Sequence, residues 1–280
     1  SEMVLEFPEL QGIAGAEYAR HDDEPVGVAE AIEYHYYPRF AGDELPPSPE
    51  ATAVALADRL DTLVGIFGIG EPPTGSKDPF ALRRASLAVI RMLISLEKPL
   101  SLTELLQAAV EQHTAQLSPD TSDVVSHYIT ERLGNWYDDD GIHISVVRAA
   151  LAAGATDLFD IDLRVRALNA FAKTETAEHL AAANKRVANI LAKADNLDGT
   201  SADPNLFVHE AEHALQEAVS SVGSTLAPLL ADRNYQSALD ELAQLRGPVD
   251  AFFDGVMVNA EDPAERLNRL RLLGGLRALF

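Results

Sequence analysis

Residues 180–194 read LAAANKRVANILAKA, and Leu180, Ala183, Val187, Ile190, Leu191 and Ala194 recur there at the spacing of a helix with about 3.6 residues per turn. An apolar stripe of that kind has to be buried against other elements. Lys185, Asn189 and Lys193 fall on the opposite face, with Arg186 at its flank, so the outer surface of this helix is basic and carries amides. The rest of the chain repeats the helical period, and no useful length of strand-like alternation or internal repeat interrupts it. The expected fold is all-α.

On the C-terminal side of this helix, Asp195–Pro204 reads as a polar loop, followed by helices at 206–230, 234–245 and 248–257 and a last one after Asp262-Pro263. On the N-terminal side, residues 1–37 read as helices with a short break at Pro25. Pro38–Pro49 is a loop, broken by Pro46, Pro47 and Pro49, and Ala51–Phe67 is a strongly apolar helix. A Gly/Pro-rich loop, Gly68–Pro79, leads into a helix over Phe80–Leu96, with Asp78 as its cap and Pro79 in its first turn. Helices at 101–116 and 119–137 are expected to be capped by Ser101 and Ser118. The turn Asp138–Gly141, a short helix at 145–153 and the segment Asp157–Asp162 complete the first region.

The 280 residues suggest one large or two ordinary domains. With no cysteine there is neither a disulfide framework nor a thiolate zinc site, which fits a reducing, cytoplasmic compartment. No apolar run approaches the roughly 18 residues that a membrane helix needs, and no signal peptide is visible. Ser1-Glu2-Met3 passes at once into an apolar segment, the opening expected of a piece of a longer protein.

The net charge of −22 argues at face value against nucleic acid, because phosphate binding needs cations. The distribution is more informative than the sum. Residues 1–160 carry 10 Lys/Arg against 27 Asp/Glu, whereas residues 161–280 carry 12 against 17. Within the second part, 164–193 holds Arg164, Arg166, Lys173, Lys185, Arg186 and Lys193 against Glu175 and Glu178. The last fifteen residues hold Arg266, Arg269, Arg271 and Arg277 and no acid. For any single arginine, a role as dispersed solubility charge competes with a role in binding.

Three short motifs fail on inspection. His209-Glu210-Ala211-Glu212-His213 matches the zinc-protease pattern of two imidazoles one helical turn apart, but no third histidine follows, and a polar helix start is the better reading. Gly70–Lys77 (GEPPTGSK) resembles a phosphate loop, but it ends in Ser-Lys and follows a helix rather than a strand. His21-Asp22, with Asp58 and His35, resembles part of the ligand set of HD-type metal-dependent phosphohydrolases, yet no histidine precedes His21. The expectation is an HD-like helical fold with an incomplete hydrolase site, no catalytic or metal-ligating residue, and His21 and His35 at helix ends or on the surface.

Longer stretches carry a more specific resemblance. Phe7–Gly12 (FPELQG), Tyr37–Asp43 (YPRFAGD), Ala57–Gly70 (ADRLDTLVGIFGIG) and Pro73–Arg84 (PTGSKDPFALRR) are similar to the β subunit of the bacterial glycyl-tRNA synthetases of α2β2 type. So are Ala182–Lys193 (AANKRVANILAK) and Val249–Val258 (VDAFFDGVMV), while 101–160 and 195–240 match only loosely. The resemblance implies an HD-like helical domain at 1–115, a helical connector at 116–158 and a DALR-like anticodon-binding helical domain at 159–280. It implies a chain that binds tRNA(Gly) and assembles with an α subunit, with the aminoacylation chemistry, ATP and Mg2+ at that α subunit and no cofactor in this chain. An HD phosphohydrolase and a non-catalytic helical scaffold are the alternatives.

The helix at 180–194 supplies the residue-level expectation. Lys and Arg position phosphates, and an amide can read the edge of an unstacked base. The expected tRNA-binding residues are therefore Arg164, Arg166, Asn184, Lys185, Arg186, Asn189, Lys193, Arg266 and Arg269. Phe252 and Phe253 could stack on bases, although adjacent helical aromatics more often belong to a core.

Overall fold

The structure, a computed structural model, describes residues 5–194 and 201–280. The apolar opening at 1–4 and the first six residues of the expected loop Asp195–Pro204 lie outside the described residues. Among the described residues there is no strand, and two isolated antiparallel bridges, Thr74–Lys77 and Ser101–Asp157, are the extended pairings. The fold is all-helical, as the sequence pattern indicates. The chain divides into two compact units, Ser1–Asp162 and Leu163–Phe280.

The first unit contains α1 (Ile13–His21), α2 (Val26–Tyr34), α3 (Pro49–Gly68), α4 (Leu82–Ser95), α5 (Leu102–Gln112), α6 (Thr121–Thr130), α7 (Leu133–Asp139) and α8 (Ile144–Ala152); α9 (Leu158–Phe171) follows. Its central helix is α3, which packs on α2, α4, α5 and α6. Pro49 at its first position and the Ser48 side chain, which accepts from Ala51 N, start it where the loop ends. Its stripe of Ala51, Ala55, Leu56, Leu60, Leu63 and Val64 is buried. Gly65 allows a close approach, since a Cβ there would stand 2.7 Å from His113 Nε2. Helices α6 and α7, from the segment expected as a connector, belong to this unit, with α6 against α3 and α5.

Arg59 sits in the middle of the buried stripe. Its guanidinium donates to His35 O (2.7 Å), Tyr36 O (2.8 Å), Pro38 O (3.2 Å) and Ala55 O (3.0 Å). It thus holds the 35–38 turn, which includes the cis Tyr37–Pro38 peptide, against α3. Burial lowers its pKa from the ordinary arginine value.

Two expected boundaries need correction. The helix expected over 119–137 is two helices. α6 ends at Thr130, where the hydroxyl donates to Ser126 O (2.9 Å) and His127 O (3.0 Å), and α7 begins at Leu133. Ser118 is also not the cap, because Asp120 occupies that position. The helix expected from Phe80 begins at Leu82. Asp78 nevertheless caps it from outside, accepting from Leu82 N (2.8 Å) and Arg83 N (3.0 Å) while Ala81 adopts a left-handed conformation. The GEPPTGSK loop closes on itself through Lys77 N→Thr74 O (2.8 Å) and Thr74 N→Lys77 O (3.1 Å). His21 ends α1 and His35 caps the C-terminus of α2, the helix-end positions expected of them.

The second unit contains α10 (Glu175–Leu191), α11 (Glu210–Ala231), α12 (Tyr235–Ala243), α13 (Arg246–Gly255) and α14 (Pro263–Arg277). α11 packs on α12, α13 and α14, and α10 packs on α13 and α14. The core is built from Leu180, Val187, Leu215, Val222, Leu245, Val249, Phe252, Leu272, Leu273 and Leu276. His209 and Glu212, from the apparent zinc motif, form a capping box. His209 Nδ1 accepts from Ala211 N (3.1 Å), and Glu212 Oε2 accepts from His209 N (2.8 Å). This is the polar helix start that the sequence favoured over a metal site.

Candidate nucleic-acid interface

α10 starts at Glu175, five residues before the apolar periodicity, and is capped by Thr174, whose hydroxyl accepts from Ala177 N (3.2 Å). In its first turn Glu175 meets Arg246 Nη2 at 3.1 Å and His179 Nε2 at 3.5 Å. The Arg246 hydrogen bond leads the influences that hold the Glu175 pKa below its ordinary value. Leu180 and Val187 are buried, which sends Lys185, Arg186 and Asn189 outward as exposed side chains. Lys193 lies in the turn just past the last helical residue, still in line with Lys185 and Asn189.

That face forms one wall of an open groove of about 1310 Å³. The other wall is the end of α13, the segment 256–259 and the start of α14. Lys185, Arg186, Asn189, Lys193 and Arg266 line the groove, and Asp254 is the carboxylate among the described lining residues. The Arg186 guanidinium lies 3.9 Å above the ring of Phe253, a cation–π contact that orients a charged plane over an aromatic one. Phe253 is half-buried and stacks edge-on at 5.5 Å against Phe252, which belongs to the core. The two adjacent phenylalanines therefore differ: one supports the interior and the other supports the groove.

The remaining expected residues do not line the groove. Asn184 is half-buried, and its Oδ1 accepts from Arg277 Nη1. Arg164 stands 4.3 Å over the Tyr235 ring, and Arg166 is an exposed residue of α9. Arg269 must be withdrawn as a phosphate contact, because it is only 6% exposed. Its Nε donates to Glu212 Oε1 at 2.8 Å and its Nη1 to Met257 O at 3.1 Å. Burying an arginine requires such partners, and they turn its guanidinium inward, away from where a phosphate could reach it.

Asp254, Met257 and Asn259 also line the groove; the first two enter the sequence reading only within the resembling stretch Val249–Val258, and none is an expected site residue. Their signal was local. Gly255 ends a helix, and Val-Met-Val then alternates with period two. Val256 is extended (φ −119°, ψ 121°) and buried, as is Val258, so the intervening Met257 is 76% exposed.

Among the described residues, no group of three or more His, Asp or Glu is placed to hold a metal ion, and no helix is long and apolar enough to cross a membrane.

The family model for the glycyl-tRNA synthetase beta subunit matches residues 1–152, and that for the DALR anticodon binding domain matches residues 180–280, which contain the whole groove. The chain is 51% identical over 281 aligned residues to a glycine–tRNA ligase beta subunit of Chromohalobacter salexigens, covering 100% of this chain and 41% of that protein. It is 50% identical to the Haemophilus influenzae protein of that name (99% and 40% covered) and 48% identical to that of Pseudomonas fluorescens (100% and 41%). The chain thus spans about two fifths of the length of these curated relatives. With one family model matching over half of its length and such identity along all of it, this chain belongs to the glycyl-tRNA synthetase β-subunit family.

Proposed function

We propose that this chain is the tRNA-binding portion of the β subunit of a glycine–tRNA ligase, and that it grips tRNA(Gly) in the groove between α10 and α14. The observation that carries this reading is the groove itself. Lys185, Arg186, Lys193 and Arg266 converge with Asn189 against one carboxylate, Asp254, among the described lining residues, inside the residues that match an anticodon-binding domain. Exposed cations suit the phosphates of a single-stranded loop, and the Asn189 amide suits a base edge.

The complete β subunit would assemble with an α subunit in an α2β2 enzyme that attaches glycine to tRNA(Gly). Glycine, ATP and Mg2+ would be held by the α subunit, and the compartment would be the cytoplasm. The test is a fluorescence-anisotropy titration of this chain with unmodified tRNA(Gly) and with a tRNA(Gly) transcript whose anticodon has been replaced. The expected result is tighter binding of the cognate transcript. Equal affinities would refute anticodon recognition.

A further inference from the structure

We infer that the buried Glu212–Arg269 pair is a positioning device for the groove, fixing segment 256–258 so that Met257 stands out of it as an apolar face for an unstacked nucleobase. The inference rests on the tRNA-binding reading and adds to it two positioning residues and a base-contacting one.

Glu212 is 1% exposed and divides its two oxygens. Oε2 accepts from Val208 N (3.0 Å) and His209 N (2.8 Å) at the start of α11, leaving Oε1 for Arg269 Nε at 2.8 Å. Arg269 carries the connection onward by donating Nη1 to Met257 O at 3.1 Å, while Nη2 lies 3.4 Å from Glu265 Oε2. The same strip of backbone is held from below. Val256 and Val258 sink into the core, and a Cβ at Gly255 would stand 2.8 Å from His209 Cε1. The backbone of Met257 is therefore pinned by a hydrogen bond at its own carbonyl and by buried side chains on both sides, yet its side chain is 76% exposed.

A buried ion pair is weak evidence for stability, since apolar replacements of similar volume are often neutral or better. Here the pair reaches one particular carbonyl, beneath the one large apolar side chain of the groove lining that is classed as exposed among the described residues. A thioether on an unbranched chain is polarisable and adapts to a flat surface. Lys185, Lys193 and Arg266 offer charge to phosphates, and the Arg186–Phe253 stack offers a second plane, but the flat face of a base also requires an apolar partner. Met257 supplies it from the wall facing α10.

The test uses Met257→Ala, Met257→Leu and the charge-free double variant Glu212→Leu/Arg269→Met. Each is titrated with tRNA(Gly) and with the same transcript carrying abasic sites in the anticodon loop. Met257→Ala is expected to weaken binding of the intact transcript about tenfold, with an unchanged salt slope, and to make no difference on the abasic one. Met257→Leu should recover most of the affinity. The double variant should reproduce the loss, and adding Met257→Ala to it should weaken binding no further; that non-additivity would not arise if the pair merely supported the fold. Affinity of Met257→Ala within about twofold of the parent would overturn the inference, as would an equal loss on the abasic transcript. Lys185→Ala/Lys193→Ala separates the two levels. If it weakens binding while Met257→Ala does not, the Met257 inference alone fails. If neither does, the groove is not the tRNA site. Should the double variant not fold, Arg269→Lys takes its place, keeping a cation beside Glu212 while giving up the forked reach to Met257 O; affinity for the intact transcript equal to the parent's would overturn the positioning role.

Discussion

The charge of the groove sets a number that binding experiments can reach. Lys185, Lys193 and Arg266 are exposed and line the same groove, whereas Arg186 is committed to the Phe253 ring. If each of the three neutralises one phosphate of a single-stranded loop, their removal should lower the slope of log K against log salt by about 0.7 per contact, or about 2 in total. Over a fourfold rise in salt, from about 50 to about 200 mM, a slope difference of about 2 corresponds to roughly a 20-fold difference in how much affinity is lost. The perturbation is Lys185→Ala/Lys193→Ala/Arg266→Ala, and the assay is anisotropy titration with tRNA(Gly) across a salt series. None of the three side chains is buried, so circular dichroism and the melting temperature should stay close to those of the parent. An unchanged slope in a folded variant would remove this groove from the binding surface. The loss should be the same for cognate and non-cognate tRNA, because phosphates carry no sequence information.

Asn189→Ala should do the opposite, leaving the salt slope alone and narrowing the gap between cognate and anticodon-replaced tRNA by about 1–3 kcal/mol, if base readout in RNA resembles that in DNA; an unchanged gap would count against readout by this amide. Arg59→Met should destabilise the chain by about 3 kcal/mol in urea denaturation, since four carbonyls lose a charged donor; a loss below about 1 kcal/mol would mean that water replaces the guanidinium easily. For Glu212, burial is the largest single influence and pushes the pKa up, but the Arg269 hydrogen bond and the Val208 and His209 amides together hold it below its ordinary value. The stabilisation from a depressed carboxylate is complete above the ordinary glutamate range of about 4.3 and is lost as pH falls through the depressed value. The melting temperature should therefore drop less steeply below about pH 4.3 in Glu212→Leu/Arg269→Met than in the parent, and parallel acid limbs would refute this.

What was legible in the sequence was whatever the helical period encodes. The stripe of α10 and its basic outer face follow from the spacing of Leu180, Ala183, Val187, Ile190 and Leu191. The groove opposite it was not legible, because it depends on which segment of a distant helix pair comes to face Lys185. That is a matter of tertiary packing, of which Gly255 and the Val256–Val258 alternation gave only a local trace. Arg269 is the instructive failure. It was grouped with Arg266 by residue type and proximity, but position decides its role. Arg269, Leu272, Leu273 and Leu276 share one face and are 6%, 1%, 0% and 2% exposed. An arginine three, four and seven residues from buried leucines sits on the core stripe and must bring its partners with it. Arg59 repeats the pattern between Ala55, Leu56 and Leu63, and it too spends its donors on carbonyls of a neighbouring segment. In both units, an arginine on an apolar stripe fixes a turn.

The acidity of the chain then needs a different reading from the one its net charge of −22 invites. Fields from exposed charges fade over about 8 Å at physiological ionic strength, so a bound strand responds to the charges within about that distance and not to the sum over the molecule. Among the described residues that line the groove, the charged set is four cations and Asp254. The acidic background acts on encounter, where it opposes approach most strongly at low salt, and this opposition flattens the apparent salt dependence of the parent. Comparing the parent with the triple variant cancels that background, because both carry it. The difference in slope, rather than either slope alone, therefore counts the phosphates held in the groove.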